Sequence, residues 1–164
     1  MEYHDELVRL AEAGTAMDHD DPAAADAQAR FRSLFDHFTP DALPGAVRET
    51  YSARPFFNDS LKTVRERETL ADYLAESATA VDKCTVTIDE WTPARTGWYV
   101  RWRMTIRFRR FKRGIDTESI GVSHIVFDRD GRVVLHQDFW DAAGGLYEHV
   151  PLLGGLIRKI RQRL

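Results

Sequence analysis

Apolar residues recur at two different intervals along this chain, and the change falls near residue 80. Before it the interval is helical. In EYHDELVRLAEAG, residues 2–14, Leu7, Leu10 and Ala11 fall on one face and Gly14 offers a stop. MDHDDP, residues 17–22, is polar and acidic and is expected as a mobile link. Asp21 before Pro22 reads as an N-cap followed by proline at the first helical position. AAADAQARFRSLFDHF then sets Ala27, Phe31, Leu34, Phe35 and Phe38 along one stripe, and Thr39-Pro40 ends it. A short helix around DALPGAVRETY follows. A further helix, RERETLADYLAESA, turns Leu70, Tyr73 and Leu74 inward.

After residue 80 the interval is two. KCTVTIDEW alternates, TPARTG turns, and WYVRWRMTIRFRRF alternates most cleanly of all. Trp98, Val100, Trp102, Met104, Ile106 and Phe108 share one face; Tyr99, Arg101, Arg103, Thr105, Arg107 and Arg109 share the other. FKRG turns into IDTESIGVSHIVF, and DRDG is a hairpin signal leading into RVVLHQDFW. Strands joined by short turns predict an antiparallel meander. Helices first and a curled, one-sided sheet afterwards predict a segregated α+β fold.

The strand around residues 120–127 is apolar on both parities: Gly121, Ser123, Ile125 and Phe127 on one, Ile120, Val122, His124 and Val126 on the other. One side faces the helices. The other needs a cover, and a second subunit is the expected one, giving a homodimer through the outer sheet face. His124 is expected as a hydrogen-bonded core or interface histidine. The chain closes with VPLLGGLIRKIRQRL, where Leu153, Leu156, Ile157, Ile160 and Leu164 form a stripe among Arg158, Lys159, Arg161 and Arg163, a basic amphipathic helix. The expected division is an N-terminal helix and link over 1–21, an α+β domain over 22–148, and the basic helix over 149–164.

Composition changes this picture little. The length of 164 residues suits one domain with a real core, and 43% hydrophobic with 30% charged residues is ordinary for a globular protein. A net charge of −3 gives no global reason to expect nucleic acid or an anionic membrane. RWRMTIRFRRFKR interleaves arginines with aromatic residues, but the two types lie on opposite faces, so no nucleic-acid partner is expected. Acids on neighbouring strands (Asp89, Asp116 and Glu118) explain the arginine stripe instead. The lone Cys84 excludes an internal disulfide and fits a reducing, cytoplasmic setting. The N-terminus lacks a signal-peptide pattern, and membrane contact of the basic C-terminal helix is a minor alternative to packing.

The chemistry concentrates in VVLHQDFWDAAGG. His136, Asp138 and Trp140 share one face of a strand, with neighbours two apart close enough for imidazole and carboxylate to interact. On an exposed face this is a surface contact worth little. In a pocket it is an acid–base unit able to move a proton on a carbon or oxygen substrate. Asp59, after Phe56 and Phe57, reads from pattern alone as a turn or cap residue. Asp141 has the opposite parity and reads as an N-cap, and the six histidines show no metal-ligand spacing, so no metal or cofactor is expected.

The order of helices, YSARPFFNDSL, helix, and then the meander containing GVSHIVFDRDGRVVLHQDFWDAAGG resembles SnoaL-like and ketosteroid-isomerase-like proteins of the nuclear transport factor 2-like (NTF2-like) superfamily, over roughly residues 26–148. The resemblance implies a cystatin-like cone, a curved antiparallel sheet wrapped around helices with an apolar cavity between them. It implies that Asp59, eight positions after Tyr51, corresponds to the isomerase's proton-abstracting carboxylate, and that Ser123 falls where that enzyme has an oxyanion-binding aspartate. The region RFRSLFDHF has no tyrosine where the isomerase places its oxyanion donor. The same register puts His136, Asp138 and Trp140 on pocket-lining positions.

The resulting expectation is a cofactor-free acid–base enzyme, of isomerase, cyclase or dehydratase type, acting on a small apolar molecule. Asp59 or the Asp138–His136 pair would move the proton, and Ser123 would steady oxyanion charge. Trp98, Trp102, Trp140, Tyr51 and Phe57 would contact substrate. The alternative is a non-catalytic ligand-binding or dimer scaffold of the same fold.

Overall fold

The structure, a computed structural model, describes residues 2–110 and 114–142. The expected C-terminal helix over 149–164, and the FKRG turn except for Gly114, lie outside the described residues. Four helices come first or are interleaved with two short-range strands: α1 (Glu2–Ala13), α2 (Ala24–Ser33), α3 (Leu43–Thr50), β1 (Tyr51–Asn58), β2 (Thr63–Val64) and α4 (Arg67–Thr79). The meander follows as β3 (Val81–Pro93), β4 (Trp98–Phe108), β5 (Thr117–Phe127) and β6 (Val133–Trp140). All six strands form one sheet in the order β2-β1-β6-β5-β4-β3.

Two strands exceed the expected meander. YSARPFFN, outside the expected meander, is a full strand that pairs in parallel with β6, so the sheet is mixed rather than purely antiparallel. Its register breaks between Tyr51 and Phe56, around the exposed Ala53 and Arg54, before Pro55. A proline removes a ladder donor, which is tolerated at such an irregularity. Further register breaks between Ile88 and Glu90 and between Val126 and Phe127 bend the sheet.

The alternation read along β4 is seen in its burial: Trp98, Val100, Trp102 and Phe108 are buried, while Tyr99, Arg101 and Arg103 are exposed or nearly so. The inner face packs with α2, α3 and α4 into the main core, where Phe31, Leu34, Val47, Tyr51, Leu70, Ile125 and Phe127 lose nearly all contact with solvent. α2 ends at Ser33, earlier than its apolar stripe, and Phe35 and Phe38 continue that stripe from turns.

The outer face has its own cover. α1 lays Leu10, with Tyr3 and Leu7 beside it, over Phe56, Val126 and Leu135. Part of the surface expected to meet a second subunit is therefore occupied by the chain's own first helix. Beyond α1 an apolar strip stays bare, with Ile120 67% and Phe139 46% exposed. The segment expected as a mobile link is tied down: Met17 N–H donates to the Phe127 carbonyl, and His19 Nε2 donates to the Gly97 carbonyl at 2.8 Å while its ring meets Trp98 edge-on. The outer arginines are paired, Arg101 and Arg103 with Asp89 and Arg107 with Asp116, as their strand neighbours predicted.

Candidate functional site

Between the inner face of the sheet and helices α2 and α4 lies a hollow of about 330 Å³. This is the size of a small-molecule pocket. Its walls are almost wholly apolar, from Phe31 on α2 and Phe35 and Phe38 after it to Met104, Ile106 and Phe108 on β4. Asp59, Ser123, His136, Asp138, Trp102, Trp140, Tyr51 and Phe57 all line it. Trp98 does not. It is buried four residues from Trp102 on the same face of β4, about 13 Å along the strand. There it packs against His19 and Phe127 in the closed end of the core.

The polar groups join into a directed chain. Tyr51 is wholly buried, and loss of water, reinforced by the nearby Asp138 charge, holds its phenol well above the usual range, so it keeps its proton. Its hydroxyl donates to His136 Nδ1 at 2.7 Å, and His136 Nε2 lies 2.8 Å from Asp138 Oδ1. A carboxylate only accepts, so Nε2 carries the imidazole hydrogen and Nδ1 is left to accept from tyrosine. From the other side the Trp102 indole donates to Ser123 Oγ at 2.8 Å, and Ser123 Oγ donates to the same Asp138 Oδ1 at 2.5 Å. Two relays thus converge on one oxygen. Among the described residues Asp138 Oδ2 accepts no hydrogen bond, on a side chain that keeps 15% of its surface exposed against 5% for His136.

The strand geometry explains the convergence. On β6, His136 and Asp138 are two apart on the inward face, and Ser123 on β5 is the direct cross-strand partner of Asp138. Gly121 pairs with Trp140 on one side and Trp102 on the other. A Cβ at Gly121 would lie 2.2 Å from the Trp102 ring, so only glycine lets that indole lie flat enough to reach Ser123.

The structure redistributes the expected roles. Ser123, expected to steady an oxyanion, already spends its hydrogen on Asp138. His136 has both nitrogens engaged and stands behind Asp138 rather than in front of it. Asp59 sits in the β1–β2 turn: Oδ1 accepts from the Leu61 and Lys62 backbone N–H groups, and Oδ2 from the Tyr73 hydroxyl at 2.6 Å. Trp140 donates to the Asp59 carbonyl, and Ser60, at φ 71°, donates to the Asp138 carbonyl. This turn is thereby stitched to the end of β6. Tyr73 was legible as a core residue but not as the partner of Asp59, because the pairing spans a turn and a helix. Among the described residues no group of three or more His, Cys, Asp or Glu is placed to hold a metal ion. Cys84 also lines the hollow, and burial pushes its thiol up to about 11, which leaves it a protonated wall residue at neutral pH.

No protein-family model and no curated protein sequence matches the chain. Solved structures do. An NTF2-like protein of unknown function from Exiguobacterium sp. 255-15 shares 17% identity at a TM-score of 0.59, over 70% of this chain and 98% of that one. An LEH-like epoxide hydrolase of M. tuberculosis shares 14% identity at a TM-score of 0.61, over 86% and 99%. A protein from Jannaschia sp. CCS1 classed as a SnoaL-like polyketide cyclase shares 20% identity at a TM-score of 0.59, over 76% and 92%. The chain has the NTF2-like fold, an unclosed curved sheet with helices on its concave side, as the sequence resemblance implied. At these identities the likeness is one of fold, and fold alone does not fix activity.

Proposed function

We propose that the chain is a cofactor-independent acid–base enzyme, of isomerase, cyclase or hydro-lyase type, in which Asp138 carries the proton for a small, largely apolar substrate. One observation carries this reading: Oδ1 of Asp138 is fixed by His136 and Ser123, while Oδ2 has no partner among the described residues and lies at an apolar hollow. Preorganised donors on one oxygen orient the other toward a bound molecule and cost no reorganisation during transfer. His136, backed by Tyr51, is a positioning residue that can follow the changing charge of Asp138. Asp59 is the weaker candidate, because both of its oxygens are already engaged.

The test needs no prior substrate. Small carbon acids such as cyclic enones are incubated in deuterated water, and protein-dependent loss of a C–H signal is followed by NMR. Asp138→Asn should lower the exchange rate by about 10²–10⁴-fold, the usual worth of a positioned acid–base group. Asp59→Asn should retain most of it. Exchange that survives Asp138→Asn removes that residue from the chemistry.

The second reading is a non-catalytic binding protein. It is favoured by the state of the donors: Ser77, Tyr73, Trp140, Trp102, Ser123, Tyr51 and His136 each give their hydrogen to a protein acceptor. Among the described residues none of these donors is left to stabilise an oxyanion. A ligand retained through purification without any exchange activity would select it. The apolar strip at Ile120 and Phe139 fits a second copy of the chain, and light scattering of wild type against Ile120→Glu tests that pairing. A cytoplasmic setting belongs to the same proposal and rests on the single cysteine.

A further inference from the structure

The hydrogen-bond polarity of the hollow is one-sided, and so is its charge. Among the described residues every lining hydroxyl, indole and imidazole N–H is committed to an acceptor of the protein, whereas Asp138 Oδ2 receives no donor. Asp59 and Asp138 bring carboxylates to the lining, and among the described residues no lysine or arginine helps to form it. Lys62 comes near but sits over the Tyr73 ring, 4.7 Å from its centre.

Each ligand class fares differently in such a place. A carboxylate or phosphate would leave water to meet like charge with no donor to receive it. A neutral hydrocarbon would fill the space and leave Oδ2 desolvated and unmet, at a cost. A ligand with a charged N–H would satisfy Oδ2 with a charge-assisted bond. Its remaining faces would meet rings: Phe31 and Phe57 each pack edge-on against His136, at 5.4 and 5.1 Å between centres, and Trp102 and Trp140 lie 6.4 Å apart around Gly121. Aromatic faces attract cations most where water is excluded.

We infer that the hollow selects a protonated amine on an apolar skeleton, its N–H donating to Asp138 Oδ2. This deepens the reading of Asp138 as the group that meets substrate, and it rests on that reading. The oxygen that receives the ammonium hydrogen is the one to which a substrate proton would pass.

Three probes with one bicyclic skeleton separate the possibilities: 1-naphthylmethylamine, 1-naphthylmethanol and 1-naphthoic acid, titrated against the full chain by tryptophan fluorescence and calorimetry. The amine should bind about tenfold or more tighter than the alcohol, equivalent to about 1.4 kcal/mol, and the acid more weakly than either. Asp138→Asn, nearly the same shape, should erase the preference for amine over alcohol. If that variant does not fold, the wild-type preference should still vanish as alkaline pH removes the amine's proton. Equal binding of amine and alcohol, or tighter binding of the acid, overturns the inference while leaving a functional hollow. Binding of none of the three overturns both readings.

Discussion

On each face of the sheet a tyrosine hydroxyl meets the Nδ1 of a buried histidine at 2.7 Å: Tyr51 with His136 on the concave side, Tyr3 with His124 on the convex side. In both pairs the phenol is held above its usual range, first by loss of water. The pairs part company at the second nitrogen. His124 Nε2 donates to the Thr96 carbonyl at 2.7 Å, and there the chain of bonds stops. His136 Nε2 donates to a carboxylate, which has a second oxygen and faces a hollow. A carbonyl terminates a relay, and an ionised carboxylate passes its effect on. The outer pair is a clamp that fastens α1 to β5, and the inner pair holds a carboxylate at the wall of the hollow.

The largest expected contrast comes from removing the rings. His136→Ala leaves the Tyr51 hydroxyl without an acceptor in the core and takes a ring from between Phe31 and Phe57, so it should cost about 3 kcal/mol or more. His124→Ala removes a ring of equal size, but Tyr3 is only half-buried and its hydroxyl can turn to water, so about 2 kcal/mol is expected. Urea midpoints at neutral pH read both. A larger loss at His124 would make the outer clamp the dominant one and invert the comparison.

Removing only the hydroxyls should give smaller and sharper effects. Tyr51→Phe leaves His136 Nδ1 an unmet buried acceptor and should cost about 1–3 kcal/mol; Tyr3→Phe should cost about 1 kcal/mol or less. The nitrogen shifts of the His136 imidazole should stay those of the Nε2–H form in wild type. In Tyr51→Phe that tautomer should persist, because the Asp138 carboxylate still requires Nε2 to donate. A switch to the Nδ1–H form would mean that Tyr51, and not Asp138, fixes the ring.

Much of the inner site was legible because a strand repeats every second residue. Knowing that His136, Asp138 and Trp140 share a face required only the alternation, and the family resemblance turned that face inward. Ser123 could be placed opposite but not in its role, since pairing register decides which carboxylate it meets. Trp98 misled for the same reason: parity tells the face, not the position along it, and the hollow occupies only one end of β4. The α1 helix was read correctly from its spacing, yet its place over Phe56, Val126 and Leu135 depends on contacts far apart in sequence. Tyr3 to His124 spans 121 residues, beyond the reach of any local pattern. The parallel pairing of β1 with β6 was hidden in the same way, behind a strand interrupted by a proline.

The smallest predicted effect concerns acid, and it isolates the outer clamp. Burial strips water from the charged form of His124 and lowers its pKa, with the Thr96 carbonyl opposing in part. The groups around it are Tyr3 from α1, Tyr99 from β4 and the Thr96 carbonyl, none of them a carboxylate. A depressed pKa means that the unfolded chain binds the proton first as pH falls. Stability from this group is therefore complete above the ordinary histidine value of about 6.5 and declines below it, toward the folded value. Carboxylates held low by arginine, such as Asp89 bonded to Arg103 and Asp116 bonded to Arg107, lose their contribution only at more acidic pH. The interval between about pH 7.5 and 5.5 thus reports histidine. In His124→Gln, whose amide can donate to Thr96 and accept from Tyr3, urea midpoints should change less across that interval than in wild type. An unchanged slope would transfer the acid sensitivity to another histidine and leave the outer pair as packing alone.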